Sequence, residues 1–132
     1  MKRKERTEAA RQKKLPDAEL EIMQVVWDCS CPAPRAEVER RMAEIRPLAQ
    51  STLLTVLTRL AEKGFLRIEK DGRSSVYYPL ISREDYQAGQ SRRFVDQLFG
   101  GSIPAFACAL TASGLSREEL DELRRLLEED AL

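Results

Sequence analysis

The stretch Gln50-Ser51-Thr52-Leu53-Leu54-Thr55-Val56-Leu57-Thr58-Arg59-Leu60-Ala61-Glu62-Lys63 decides the fold. Leu53, Val56, Leu57 and Leu60 recur at helical spacing and form one apolar stripe that must face other elements. Gly64 follows as a left-handed stop, so the pattern predicts a helix that opens at Ala49-Gln50-Ser51-Thr52 and runs to Lys63. The opposite face carries Ser51, Thr52, Thr55, Thr58 and Arg59. Serine and threonine are mediocre helix formers, because the hydroxyl competes for backbone partners and the β-branch restricts the rotamer. A merely solvated face usually carries Glu and Lys. Short hydroxyl side chains instead let a helix sit deep in a duplex groove while bonding to phosphates and base edges. Arg59 can reach a phosphate or a guanine edge, and its late position favours the phosphate. Leu54 lies beside this face and either completes the core or meets a thymine methyl group.

Working outward, Asp17 is the expected N-cap of a first helix in which Leu20, Met23, Val26 and Trp27 share a face. Two prolines between Cys29 and Pro34 break it. Arg35 to Ile45 reads as a second helix with Val38, Met42 and Ile45 on its apolar side, ended by Arg46-Pro47. Beyond Gly64 the period changes. Phe65 to Lys70 alternates, Asp71-Gly72 is a turn dipeptide, and Ser75 to Leu80 alternates again, which predicts a β-hairpin. Three helices thus precede any strand, and helix, helix, helix, hairpin is the order of a winged helix-turn-helix. The hairpin tip presents Arg73, either to the DNA backbone or to solvent. After Ser82 the sequence predicts a helix over Arg83 to Phe99, a break at Gly100-Gly101, a short apolar segment over Ile103 to Leu110, and a last helix. That helix opens with a capping box in Ser116-Arg117-Glu118-Glu119.

The expected fold is therefore mainly α with a small β-hairpin: a winged-helix DNA-binding domain over residues 15–81 and a helical dimerisation arm over 82–132. An arm of that size cannot bury its own apolar stripe well and is expected to do so against a second copy. The chain of 132 residues has no net charge, which conceals a gradient. Residues 1–14 carry seven basic against two acidic residues (+5), residues 15–81 nine against ten (−1), and residues 82–132 six against ten (−4). The first segment is expected to be a disordered basic arm, and the sign change fits one end meeting a polyanion.

Composition also excludes. No apolar run approaches membrane-spanning length and no signal peptide is evident, so a cytoplasmic protein with no membrane partner is expected. Three cysteines make no disulfide framework. With no histidine, no phosphate-cradling glycine loop and no nucleophile motif, an enzyme is not expected, and no cofactor is implied. Cys29 and Cys31 form one Cys-x-Cys, but only Cys108 remains, so a closed zinc site would need carboxylates and no metal is expected. The two thiols read as reduced side chains, a redox or soft-metal sensor being the alternative. The competing function is a winged-helix module for protein contacts, which would place apolar or acidic residues where Ser51, Thr52 and Thr55 stand.

The chain resembles the penicillinase-repressor family, also called the BlaI/MecI family, with the copper-responsive CopY repressors as relatives. The resemblance runs from Leu15 to Glu129. It rests on Ala18-Glu19-Leu20-Glu21-Ile22-Met23 with Trp27, on Thr52 to Phe65, on Tyr77-Tyr78-Pro79-Leu80, on Phe99-Gly100-Gly101-Ser102, and on Leu115 to Leu123. It implies a homodimeric repressor on double-stranded, palindromic operator DNA. By that resemblance Ser51, Thr52, Thr55 and Arg59 would contact DNA; Gln50, Thr58 and Arg73 join them as DNA-binding candidates on the reading of the helix face and the hairpin tip. Phe94, Leu98, Phe99, Leu120, Leu123, Leu126 and Leu127 would form the dimerisation arm and its partner surface. The Asn-Phe bond at which β-lactam-responsive members are cleaved has no counterpart near Cys108-Ala109, and the paired C-terminal Cys-x-Cys motifs of the copper-responsive members are absent. The inducing signal and any upstream sensor or protease therefore stay unassigned.

Overall fold

The structure is a computed structural model and describes residues 13–130. The basic arm expected over residues 1–14 lies, apart from Lys13 and Lys14, outside the described residues. In chain order the elements are α1 (Asp17–Asp28), β1 (Ala33–Pro34), α2 (Arg35–Ile45), α3 (Gln50–Glu62), β2 (Leu66–Asp71), β3 (Ser74–Pro79), α4 (Arg83–Phe99), α5 (Ile103–Ala112) and α6 (Arg117–Asp130). They divide into two compact units, residues 1–91 and 92–132.

In the first unit α1, α2 and α3 pack around a core of Ile22, Met23, Val26, Val38, Met42, Leu53, Leu57 and Leu60, closed by Leu15, Phe65, Leu66, Tyr77 and Ile81. Leu54 is partly buried against this core, as the first of its two assignments had it. α3 ends in a Schellman motif. Gly64 takes φ 88, its N–H donates to Ala61 O at 3.1 Å, and the Phe65 N–H donates to Leu60 O at 2.9 Å. This left-handed stop turns the chain straight into the sheet and drops Phe65 into the core.

Four expectations are corrected. The sheet has three strands in the order β1-β3-β2, because Ala33 pairs with Tyr77 and Pro34 with Val76, so a strand precedes the second helix. Pro34 is tolerated since this is an edge strand. Asp17 is the first residue of α1 and not its cap. Pro16 stands there with its carbonyl accepting the Leu20 N–H at 2.9 Å, and the Asp17 charge meets the helix N-terminus. Ile45 leaves the core and is 58% exposed, because α2 ends at this residue and only Val38 and Met42 of its stripe reach inward. The first unit also extends beyond the hairpin to Ser91. Tyr86 on α4 is buried against Trp27 and Phe65, at ring separations of 5.8 and 5.7 Å, and its hydroxyl accepts the Leu15 N–H at 2.9 Å. Arg83 on the same helix bonds Gln24 O at 3.0 Å and Asp28 at 2.9 Å.

The second unit holds the end of α4 with α5 and α6. Phe94, Phe99 and Phe106 meet edge to face at 5.5 to 6.2 Å. The capping box forms in both directions: the Ser116 N–H donates to Glu119 at 2.8 Å, and the Glu119 N–H donates to Ser116 Oγ at 3.1 Å. Val95 is its one buried apolar residue among those described, and Phe94, Leu98, Ile103, Leu123, Leu126 and Leu127 are exposed. Leu120 and Phe99 are half-buried. No single helix among the described residues is long and apolar enough to cross a membrane.

Candidate nucleic-acid interface

Burial of Leu53, Val56, Leu57 and Leu60 fixes the rotation of α3 and leaves Gln50, Ser51, Thr52, Thr55, Thr58 and Arg59 exposed along one side. The whole expected face is therefore brought together on one helix. The Thr55 hydroxyl donates to Ser51 O at 2.8 Å and the Thr58 hydroxyl to Leu54 O at 2.9 Å. Each proton is held by the helix, so each oxygen turns acceptor capacity outward, the complement of an exocyclic base amino group. No carboxylate stands on this face before Glu62.

The wing is a tight hairpin. Asp71 pairs with Ser74, leaving Gly72-Arg73 as a two-residue loop. Gly72 has φ 67 and Arg73 a negative φ, the pattern of a type II′ turn, whose twist matches that of the strands it joins. Arg73 is thus exposed at the tip, while Arg67 lies over the Tyr78 ring at 4.4 Å and pairs with Glu69 at 2.6 Å.

Most cations of the first unit are occupied in the same way. Arg35 pairs with Glu39 (3.7 Å), Arg40 with Glu44 (3.9 Å), Arg41 with Glu37 (3.1 Å), Arg46 with Glu21 (2.5 Å) and Lys63 with Glu19. Arg59, Lys70 and Arg73 make no ion pair with any described residue. Within residues 15–91, the cations that make no ion pair with any described residue therefore lie on α3 and the wing, the elements that approach a duplex in winged-helix proteins.

Two contributors escaped the sequence reading. Lys70 is a second unpaired wing cation, hidden there by the alternation of the strand. Glu19 is buried on the inner side of α1 and pairs with Lys63 at the end of α3, tying the two helices. A detectable signal existed, because Glu19 occupies an apolar position of the helical repeat with Ile22, Met23 and Val26. A buried carboxylate there needs a cation.

Cys29 is half-buried and Cys31 exposed, and no cluster of metal-ligating residues occurs among those described. Burial, reinforced by the negative Glu37, pushes the Cys29 thiol up to about 11. Hydrogen bonds from Ser30, at 2.6 Å from its hydroxyl, and from Arg41 hold the Glu37 carboxyl below the usual range.

A winged helix whose third helix turns a hydroxyl-rich face to solvent belongs to the architecture of DNA-binding transcriptional regulators. The comparisons with known proteins narrow the class. The chain matches the penicillinase repressor family over residues 15–129. It is 36% identical to the penicillinase repressor of Bacillus licheniformis over 121 residues, covering 89% of this chain and 94% of that one. It is 27% identical to the methicillin resistance regulatory protein MecI of Mammaliicoccus sciuri, covering 86% and 92%. Among solved structures, the DNA-binding domain of the repressor BlaI aligns at a TM-score of 0.50 and 37% identity, over 57% of this chain and 90% of that one. This chain belongs to the penicillinase repressor family.

Proposed function

We propose that the chain works in the cytoplasm as a homodimeric repressor on a palindromic operator, each protomer laying α3 in a major groove. Gln50, Ser51, Thr52, Thr55 and Thr58 face the base edges, Arg59 a phosphate or guanine edge, and Arg73 the flanking backbone. The second unit joins two copies through Phe94, Leu98, Phe99, Leu120, Leu123, Leu126 and Leu127. The observation that carries this reading is the exposed face of α3, uncharged except for one unpaired arginine, on a helix whose other side is fully committed to the core. The exposed leucines of the second unit support the dimer, since isolated apolar patches of this kind mark contact surfaces.

The test is Arg59→Ala in the full chain, titrated at fixed salt against a duplex enriched from genomic DNA by the wild-type protein. Affinity falls by about tenfold or more, the 1 to 3 kcal/mol range of a lost base or phosphate contact, while sedimentation still reports a dimer. Unchanged affinity contradicts the assigned face.

A further inference from the structure

α1 packs on both α2 and α3, whereas α2 and α3 make much less contact with each other. A cleft of about 120 Å³ opens between them, lined by Met42, Ala43, Leu48 and Leu53. The angle between the two helices of the helix-turn-helix is therefore set largely through α1. Two carboxylates of α1 reach the ends of those helices. Glu19 pairs with Lys63, the C-terminal cap of α3, and Glu21 pairs with Arg46, the C-terminal cap of α2. Residues two apart on a helix project about 200° apart, so α1 holds the end of α3 with one side and the end of α2 with nearly the opposite one. Both cations also stand at the carbonyl end of a helix, where positive charge is favoured.

The two pairs are unequal. Arg46 is exposed and Glu21 half-buried, so water and salt screen their attraction. Glu19 is only 8% exposed and is the one buried charged residue among those described. A buried ion pair stabilises a fold no better than well-packed apolar side chains of similar volume. What it adds is direction. The stripe of Leu53, Val56, Leu57 and Leu60 attaches α3 by non-directional contact, which leaves room for a small rotation or slide. The carboxylate and ammonium of Glu19 and Lys63 meet in a single register. The Lys63 N–H donates to Arg59 O at 3.0 Å, so the pair grips the same helical turn that carries the exposed Arg59.

We propose that Glu19 and Lys63 are positioning residues for DNA reading, their ion pair fixing the rotation and entry angle of α3 and so sharpening the choice of sequence. The proposal rests on the DNA-binding reading above. The pair acts on discrimination and not on the affinity shared by all duplexes, because that part comes from phosphate contacts, which carry no sequence information. Lys63 works through Glu19 and not through a phosphate.

The experiment compares the wild-type full chain with Glu19→Leu plus Lys63→Met, which removes one charge of each sign and leaves the net charge unchanged. Both are titrated at several salt concentrations against a mixed-sequence duplex and against a duplex enriched from genomic DNA by the wild-type protein. The variant binds the mixed-sequence duplex with unchanged affinity and salt slope, and loses about tenfold of its preference for the enriched one, the size of one misaligned base contact. Lys63→Arg, which keeps the pair, keeps the preference. An unchanged preference in the apolar variant, or an equal loss in Lys63→Arg, overturns the proposal. So does a salt slope shallower by about 1 per protomer, since Lys63 would then be a phosphate contact. Should the apolar variant melt below the assay temperature, Glu19→Gln decides. It is isosteric and uncharged, and weakening the charge-assisted bond lowers the preference by about threefold or more, whereas a preference retained in full overturns the proposal. Wild type with no preference for any duplex would instead overturn the reading of α3 itself, and the two failures are distinguishable.

Discussion

Phe65 and Phe94 carry the same side chain to opposite ends. Phe65 is wholly buried in the first unit, between the end of α3 and the sheet, whereas Phe94 on α4 remains 49% exposed in the second. The contrast holds for their surroundings. Leu53, Leu57 and Leu60 are interior, while Leu98, Leu123, Leu126 and Leu127 face outward, Leu127 at 61% exposure. α5 has a strongly apolar sequence, Ile-Pro-Ala-Phe-Ala-Cys-Ala-Leu-Thr-Ala, and buries none of it fully. The first unit satisfies its own hydrophobic demand and so can hold α3 rigidly. The second does not, and on the proposed dimer its unburied leucines are where a partner copy would gain most from association.

The strongest way to break this comparison is Phe65→Ala. Loss of a buried ring costs about 3 to 5 kcal/mol, so the first unit melts far earlier or fails to fold. Phe94→Ala leaves that unit's melting unchanged and weakens self-association. A thermal melt read by Trp27 fluorescence, alongside sedimentation, separates the two, and equal destabilisation by both variants would abolish the distinction. Next in size is Leu123→Asp with Leu127→Asp, expected to weaken dimerisation at least about a hundredfold, since charge replaces apolar surface that two copies would bury. A variant that still sediments as a dimer at micromolar concentration would move the partner surface elsewhere. The smallest effect sharpens the contrast at a single group. With its thiol pushed up to about 11, Cys29 is almost wholly protonated at pH 8, so a thiolate-directed alkylating reagent labels the exposed Cys31 and Cys108 first. Cys29 gains reactivity only as the pH approaches 11. Mass spectrometry of a timed digest reads the order, and early labelling of Cys29 contradicts its burial.

How much was legible in the sequence follows the same divide between local and non-local causes. α3, the hairpin and the Ser116 capping box were readable because each is set by spacing and turn chemistry within about fifteen residues. The face of α3 was readable for the same reason, since helical periodicity fixes which residues oppose Leu53 and Leu57. β1 was not, because two residues beside prolines become a strand only when β3 offers its edge. Tyr86 sits in Arg83-Glu84-Asp85-Tyr86-Gln87, a polar run, and nothing local says that its ring fills the gap between Trp27 and Phe65. That is why the end of the hairpin looked like the end of the domain. Ile45 failed in the opposite sense: its spacing was right, but as the last residue of α2 it stays exposed. Of the ion pairs that leave Arg59, Lys70 and Arg73 free, those within α2 follow i,i+4 spacing, whereas Arg46–Glu21, Lys63–Glu19 and Arg83–Asp28 join residues far apart in the chain and were invisible.

The central claim is that two copies, joined by the second unit, present two α3 faces to one duplex. Selection of bound genomic fragments by the purified full chain at about 150 mM salt, where sequence-independent binding is weakened, tests both halves at once. The account predicts an enriched inverted repeat whose half-sites lie about one or two helical turns apart, the spacing that two-fold symmetry imposes. An enriched single half-site would contradict the dimer, and a well-folded dimer that enriches nothing would contradict the reading of α3.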